Sequence, residues 1–240
     1  TAISGATSTQ YTLVQADVGS AITVTASYED TLGQAESSTS AATSAVANVN
    51  DAGSGLSLAS DGDVADPDQG DALSVTGTLA DEDGVTNAAP TYVWKRDGTA
   101  IGSATSSSYT LVQADVGTTT SVVISYDDDQ SESNTITLTA ASDVDNVNNN
   151  PTGSVTISGT PTEDQVLTAA NTLADEDGLG SISYQWNRAG TAISGATSTQ
   201  YTLVQADVGS TITVTASYED ALGQAESSTS AATSAVANVN

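Results

Sequence analysis

Apolar and polar residues alternate one by one along several stretches of the chain, as they do in a β-strand that buries one face. Ile212, Val214, Ala216 and Tyr218 are separated by single threonine or serine residues, and the stretch 119–126 follows a similar pattern. Threonine and serine at the outward positions suit a half-buried β surface. Helical spacing is not sustained anywhere in the sequence, so the pattern predicts an all-β protein.

The segment Tyr-Thr-Leu-Val-Gln-Ala-Asp-Val-Gly occurs three times, beginning at Tyr11, Tyr109 and Tyr201. The copies lie roughly 95 residues apart, a period typical of a small β-sandwich. A leader that carries Tyr-x-Trp, at Tyr92 and again at Tyr184, precedes the second and third copies. The sequence therefore predicts tandem repeats, each composed of a leader half and a trailing half.

The repeat pattern divides the chain into one trailing half and two complete repeats. We expect 1–50 to form strands E to G of a repeat, and 51–148 and 149–240 to form one complete repeat each. Residues 1–50 and 191–240 are identical except at two positions. In the last repeat the alternation predicts strands A, B, C, a short strand, E, F and G near 155–157, 165–173, 182–188, 193, 201–204, 211–218 and 226–236.

The last repeat carries Tyr184-x-Trp186-x-Arg188, followed by a Tyr-Thr-Leu segment and the corner Asp207-Val-Gly. This pattern resembles the bacterial Ig-like repeats of very large surface adhesins, among them the RTX-type biofilm adhesins. The resemblance implies tandem Ig-like antiparallel β-sandwiches joined end to end by short linkers rich in Asp and Asn. It also implies that Trp186, like Trp94 in the middle repeat, is a core residue on strand C.

The same resemblance implies a structural role. Near-identical modules of such adhesins form an extender that holds a distal ligand-binding domain away from the cell, for cell adhesion or biofilm formation. We therefore expect a secreted bacterial surface protein whose partners are the neighbouring repeats of the same chain. Two alternatives stay open: a glycan- or protein-binding module that uses the loops 61–71 and 127–129, and a subunit of a self-assembling surface filament in which 1–50 associates with another chain.

The charge balance limits the possible partners. The chain has 30 acidic residues against three basic ones and no histidine, which gives a net charge of −27. No basic surface can be assembled for nucleic acid or anionic lipid, so cations or a high-salt environment are favoured. Cysteine is absent, and without histidine the serine and threonine hydroxyls lack the usual catalytic base. We expect no enzymatic activity.

The carboxylates are concentrated in predicted loops and linkers. In an Ig sandwich the B–C loop, the F–G loop and the incoming linker share one end, so these groups should converge where repeats join. Two carboxylates about 4 Å apart repel by roughly 1 kcal/mol in water and about 4 kcal/mol at an intermediate dielectric, so three or four together need a cation. Oxygen ligands without histidine or cysteine indicate structural Ca²⁺. The predicted ligands are Asn50, Asp51, Asp81, Asp83, Asp127, Asp128, Asp143, Asp145, Asn148, Asp175, Asp177, Glu219 and Asp220.

The acidic residues also admit other interpretations. Asp and Asn are good turn formers, and a charge this high is also a solubility device in saline surroundings. The insertion 61–71 of the middle repeat holds a further acidic cluster without the terminal glutamate of an EF-hand loop, and either a metal or a solvated loop fits it. For Asp17, Asp115 and Asp207 we expect a hydrogen bond within the turn that precedes strand F.

Overall fold

The computed structural model describes residues 1–239 and confirms the all-β fold. The chain divides into two compact units, Thr1–Asp145 and Asn146–Asn240. Every pairing between named strands is antiparallel. None of the described helical segments is long and apolar enough to cross a membrane.

The strands of the first unit form one hairpin and two sheets. The hairpin joins β1 to β2, and the sheets have the orders β3-β4-β7 and β6-β5-β8-β9. In chain order the strands are β1 (Thr25–Glu29), β2 (Ala35–Thr39), β3 (Ser54–Ser60), β4 (Ala72–Ala80), β5 (Thr91–Arg96), β6 (Thr99–Ala100), β7 (Ser108–Thr110), β8 (Thr119–Asp127) and β9 (Ser133–Asp143). The two sheets share a core that includes Leu73, Trp94 and Ile124.

The second unit repeats this arrangement. Its sheets have the orders β10-β11-β14 and β13-β12-β15-β16, and they share a core that includes Leu167, Trp186 and Val214. In chain order the strands are β10 (Val155–Ser158), β11 (Val166–Asn171), β12 (Ser183–Arg188), β13 (Thr191–Ala192), β14 (Gln200–Thr202), β15 (Ile212–Glu219) and β16 (Ala225–Thr229). Both complete repeats are therefore two-layer sandwiches, which is the fold class that the alternation predicts.

The predicted core residues lie in the core. Along β15 every second side chain is buried, beginning with Ile212 and ending with Tyr218. Both tryptophans are fully buried, and the indole Nε1 of Trp186 donates a hydrogen bond of 2.8 Å to the carbonyl of Ser198. The Trp186 ring stacks on Tyr201 with 5.8 Å between ring centroids. This pairing fixes the strand that carries Tyr201 across the core from β12.

Strand G of the last repeat is shorter than predicted, because β16 ends at Thr229. Beyond that point the hydroxyl of Ser230 accepts the N–H of Val214 and the hydroxyl of Thr233 accepts the N–H of Ile212, each at 3.0 Å. Side-chain oxygens thus replace the main-chain carbonyls of a ladder. The middle repeat has Leu138 and an alanine at the equivalent positions, and its strand β9 continues to Asp143.

The segment 1–50 exposes residues that are buried in the last repeat. Val24 is 64% exposed and Tyr28 is 62% exposed, whereas the equivalent Val214 and Tyr218 are 0% and 6% exposed. The hairpin β1–β2 has the same register as β15–β16, so the difference lies in what covers its inner face. Among the described residues, no leader half covers that face.

Candidate functional site

Three carboxylates of the middle repeat converge at one end of its sandwich. Asp81 and Asp83 follow β4, and Asp128 follows β8. Each residue offers one carboxylate oxygen, and these three oxygens all lie within 4.8 Å of one another. Asp83 is 3% exposed and Asp128 is 6% exposed, so two of the three charges are removed from solvent. We call this group the middle cluster.

Local hydrogen bonds hold the carboxylates of the middle cluster in place. The Asp81 carboxylate accepts a hydrogen bond of 2.6 Å from the hydroxyl of Tyr126 and one of 2.9 Å from the N–H of Asp83. Asp128 Oδ1 accepts the N–H groups of Gln130 and Glu132 at 2.8 and 2.9 Å. The loops after β4 and β8 are therefore folded around their own carboxylates, as Asx turns are.

The segment that enters the middle repeat also contacts the cluster. The N–H of Asp51 donates to Asp83 Oδ2 at 2.9 Å, and Gln15 Nε2 donates to Asp83 Oδ1 at 2.7 Å. The side chains of Asn50 and Asn134 exchange amide hydrogen bonds of 3.0 and 3.3 Å. An open depression of about 300 Å³, lined in part by Asp51, lies beside the cluster. The predicted convergence of linker and loops is therefore present at this junction.

The last repeat places Asp175, Asp177 and Asp220 at the equivalent positions, and we call them the last cluster. Asp175 accepts the hydroxyl of Tyr218 at 2.5 Å, and Asp177 Oδ2 accepts the N–H of Asn149 at 2.5 Å. Asp220 Oδ1 accepts two N–H groups of the following loop at 2.8 and 2.9 Å. Each bond has its counterpart in the middle repeat. Among the described residues, however, the 4.8 Å spacing is met only by the middle cluster.

Two oxygens of the last cluster are buried and have no hydrogen-bond donor among the described residues. They are Asp177 Oδ1 and Asp220 Oδ2, and their residues are 3% and 6% exposed. A buried acceptor without a partner costs about 1–3 kcal/mol, and more when it is charged. The arrangement therefore leaves negative charge that the protein itself does not neutralise.

Basic side chains do not neutralise either cluster, because the chain has only Lys95, Arg96 and Arg188. Arg96 pairs with Asp115 and Arg188 pairs with Asp207, in both cases at 2.6 Å. Lys95 lies on β5 opposite Ser121, near the start of β8, whereas the middle cluster follows the end of that strand. The field at both clusters is strongly negative, which favours a cation there.

The tyrosines next to the clusters have raised pKa values, first because they are buried and second because they bond to cluster carboxylates. Burial, with the hydrogen bond to Asp81 second, raises the pKa of Tyr126 to about 12, and burial together with the bond to Asp175 also raises the pKa of Tyr218. The neutral hydroxyl is favoured in the folded state. For Tyr126 this contribution to stability is complete below about pH 10, the unfolded pKa, and is lost as the pH rises through about 12.

An alkaline titration followed by tyrosinate absorbance tests this arrangement. We expect Asp81→Asn to lower the pKa of Tyr126, because it removes the carboxylate that accepts the hydroxyl. Asp127→Asn is the matched control, since Asp127 is the exposed neighbour of Tyr126 and bonds to Ser133. Equal titration curves for the two variants would contradict the assigned contact.

The structure does not bring four of the predicted ligands into the clusters. Asp127 and Glu219 are exposed, because alternation along β8 and β15 turns them away from the face that carries Tyr126 and Tyr218. Asp143 and Asp145 are exposed at the end of β9, and Asp143 pairs in register with the first residue of β8. They lie at the opposite end of the middle sandwich from the middle cluster.

Three other predicted ligands come from the entering segments. Asp51 contributes its N–H to the middle cluster, and Asn50 reaches it through Asn134. In the last repeat Asn148 donates to Glu226 at 2.9 Å. The sequence interpretation missed Gln15, the cluster tyrosines, Asn134 and Glu226. The register of β8 with β9 and of β15 with β16 brings Asn134 and Glu226 beside those tyrosines.

The acidic insertion 61–71 uses its carboxylates to close turns. Asp61 accepts the N–H of Ala72 at 2.6 Å, and Asp63 accepts the N–H of Ala65 at 2.9 Å. Asp71 accepts the N–H of Asp68 at 3.2 Å. These bonds are those of a folded loop, and they account for Asp61, Asp63 and Asp71 by the turn chemistry that the sequence allows.

The three copies of the Tyr-Thr-Leu segment end in 3₁₀ turns, at Gln15–Asp17, Gln113–Asp115 and Gln205–Asp207. Asp207 is fully buried, and its carboxylate accepts the hydroxyl of Tyr201 at 2.9 Å and the N–H of Val204 at 2.8 Å. The predicted bond within the turn is confirmed. The sequence interpretation missed the ion pair with Arg188, although both complete repeats have an arginine two residues after the tryptophan.

No protein-family model matches the chain, and no curated protein sequence is significantly similar to it. Its structure is similar to that of a Ca²⁺-stabilised adhesin with which an Antarctic bacterium binds ice, with 15% identity and a TM-score of 0.33. That match covers 92% of this chain and 57% of the adhesin chain, so this chain spans little more than half of that structure.

Two further solved structures are similar at the same level. One belongs to a 1.5-MDa bacterial ice-binding adhesin, with 13% identity, a TM-score of 0.32 and coverage of 94% of this chain and 77% of that one. The other is a tetra-tandem repeat from the extending region of a large adhesion protein, with 20% identity, a TM-score of 0.28 and coverage of 90% and 57%. Similarity this low carries no argument about function, which has to rest on the residues.

Proposed function

We propose that this chain is part of the extending stalk of a secreted bacterial surface adhesin. Its Ig-like repeats are joined end to end, and Ca²⁺ at the acidic cluster of each complete repeat stiffens the entering linker. The chain is a spacer without enzymatic activity, and it holds a distal ligand-binding domain away from the cell. Its partners are the neighbouring repeats of the same chain.

The observation that carries the proposal is the middle cluster. Asp81, Asp83 and Asp128 place three carboxylates within 4.8 Å of one another, and two of them are buried. Like charges this close repel, and the repulsion grows as water is removed. Arg96 and Arg188 form ion pairs with Asp115 and Asp207. Lys95 lies opposite Ser121, near the start of β8, and the cluster follows the end of that strand. A cation at the cluster would relieve the repulsion.

The donor set fits calcium. The side chains offer carboxylate oxygens from Asp81, Asp83 and Asp128 and amide oxygens from Asn50 and Asn134, and Ca²⁺ takes six to eight oxygens in flexible geometry. Mg²⁺ demands a near-octahedral arrangement and retains water, which suits this set less well. Zinc and copper sites favour histidine or thiolate, and the chain has neither.

The linker contacts the middle cluster, so cation binding there depends on how the linker is oriented. Asp51 and Gln15 both donate to Asp83, and Gln15 comes from the corner of the preceding trailing half. A cation that binds Asp83 together with the amide oxygen of Asn50, on the linker, therefore favours the arrangement in which the linker is seated. Binding to one arrangement and not to others shifts the population towards it. This is how a cation site would stiffen a stalk.

Calcium addition to the full chain is the test. At a free concentration ten times Kd, each site adds about 1.4 kcal/mol to the free energy of unfolding of its repeat. For a sandwich of this size that corresponds to a rise in Tm of about 6–11 °C. We expect half-maximal effects at about 10⁻⁴ to 10⁻³ M free calcium, the range of extracellular calcium modules. Calorimetry measures Tm, and small-angle scattering measures the maximum dimension.

The control for this test is the pair of variants Asp83→Asn and Asp143→Asn. The first removes a charge from the middle cluster, and the second removes an equal charge at the other end of the same sandwich. Only Asp83→Asn should abolish the calcium effect on the middle repeat. A Tm and a maximum dimension that do not change with calcium would leave the acidic loops as turn-forming and solubility features.

A further inference from the structure

The two clusters differ at one position that faces their carboxylates. Asn134 lies directly opposite Tyr126 in the β8–β9 pair, and Glu226 lies directly opposite Tyr218 in the β15–β16 pair. Cross-strand partners share a face of the sheet, so both side chains stand beside the tyrosine that contacts the cluster. The middle repeat therefore has a neutral amide where the last repeat has a fourth carboxylate.

In the middle cluster, amide groups of the protein satisfy the buried oxygens. Asn134 Nδ2 donates to Asp128 Oδ2 at 3.0 Å, and Gln15 Nε2 donates to Asp83 Oδ1 at 2.7 Å. A cation at these two oxygens competes with both N–H groups for the carboxylate lone pairs. Part of the binding free energy is therefore consumed by weakening hydrogen bonds that the cation-free protein already has.

In the last cluster, the two corresponding oxygens are free. Asp220 Oδ2 corresponds to the Asp128 oxygen that Asn134 satisfies, and Asp177 Oδ1 corresponds to the Asp83 oxygen that Gln15 satisfies. Both are buried and accept no hydrogen bond from the described residues. The glutamate side chain has no N–H to donate, and the Glu226 carboxylate instead accepts a hydrogen bond from the side-chain amide of Asn148.

We infer that the two cation sites have unequal affinities, and that the side chain at the position of Asn134 and Glu226 sets the difference. The last cluster takes calcium at the lower concentration, because it has one more carboxylate and two unpartnered buried oxygens. The middle cluster takes calcium only at higher concentration. This inference rests on the proposed function, and it makes stiffening of the chain a graded response to calcium.

Calcium titration by calorimetry on the full chain tests the difference. We expect two classes of site whose Kd values differ by at least tenfold, because ligand charge is a main determinant of calcium affinity. Asp177→Asn should remove the tighter class, and Asp83→Asn should remove the weaker class. These two variants assign each class to its cluster before the determining residue is tested.

The determining residue is tested by exchanging the two side chains. Asn134→Glu should tighten the middle site by about tenfold, and Glu226→Asn should weaken the last site by a similar factor. The double variant should invert the order of filling. Each substitution installs the residue that the other repeat already carries at this position, and circular dichroism confirms that the variants are folded.

The outcomes separate the inference from the proposed function. No calcium binding at either cluster would overturn the proposed function and the inference with it. Binding at both clusters with equal Kd values would overturn the inference alone. Unequal values that do not change on exchange of Asn134 and Glu226 would overturn the assignment of the difference to this position.

Discussion

Replacing Arg188 with leucine is expected to destabilise the last repeat by about 3–5 kcal/mol, one of the largest effects available in this chain. The Asp207 carboxylate is fully buried, and Arg188 Nε lies 2.6 Å from its Oδ1. Leucine removes the cation and leaves Asp207 with two hydrogen bonds from Tyr201 and Val204. A buried charge without its partner costs much more than the pair itself contributes.

The measurement is urea unfolding followed by tryptophan fluorescence in a Trp94→Phe background. Trp186 is then the remaining tryptophan, so the signal belongs to the last repeat. Adding Asp207→Asn to Arg188→Leu should recover part of the loss, because the buried group is then neutral. Arg188 is 31% exposed at its side chain. If its loss costs less than about 1 kcal/mol, the pair behaves like an ordinary surface ion pair.

Much of the fold can be predicted from period-two alternation. Ile212, Val214, Ala216 and Tyr218 are buried in the order that the sequence shows, and Trp186 is in the core. The end of strand G could not be predicted in this way. It depends on whether a side-chain hydroxyl, such as that of Ser230, competes with the backbone for an N–H on the neighbouring strand.

The candidate site is partly predictable for a related reason. The loop positions of Asp81, Asp83 and Asp128 indicate which end of the sandwich they share, and alternation past Tyr126 already shows that Asp128 faces inward while Asp127 faces outward. The sequence therefore distinguishes the inward-facing Asp128 from the outward-facing Asp127. That distinction is lost when all loop carboxylates are treated as one group of ligands.

Other parts of the site depend on register and packing. Asn134 is not acidic, and its place beside the cluster follows only from the pairing of β8 with β9. Gln15 belongs to a different half-repeat, and its contact with Asp83 depends on how the linker seats. A single sequence does not contain either relationship, so a ligand search restricted to acidic residues overlooks both.

A peptide of residues 149–190 is expected to bind the full chain at the inner face of 1–50. The same trailing sequence, at 191–240, is covered by that leader in the last repeat, where Leu203 and Val214 are 0% exposed. The equivalent Leu13 and Val24 are 51% and 64% exposed. The two positions that differ between the copies are exposed in the last repeat, so the inner faces carry identical side chains.

The expected affinity is micromolar or tighter, because burying several large apolar side chains contributes about 1.5–3 kcal/mol each and ordering the peptide offsets much of that gain. Fluorescence anisotropy of the labelled peptide measures binding. Val24→Asp should abolish it by placing a charge in the new core, whereas Thr23→Asp, on an outward position of the same copy, should not. Binding that survives Val24→Asp would mean that the peptide displaces the leader of the last repeat. That result would identify exchange between repeats, and not completion of the open half, as the route by which the peptide binds.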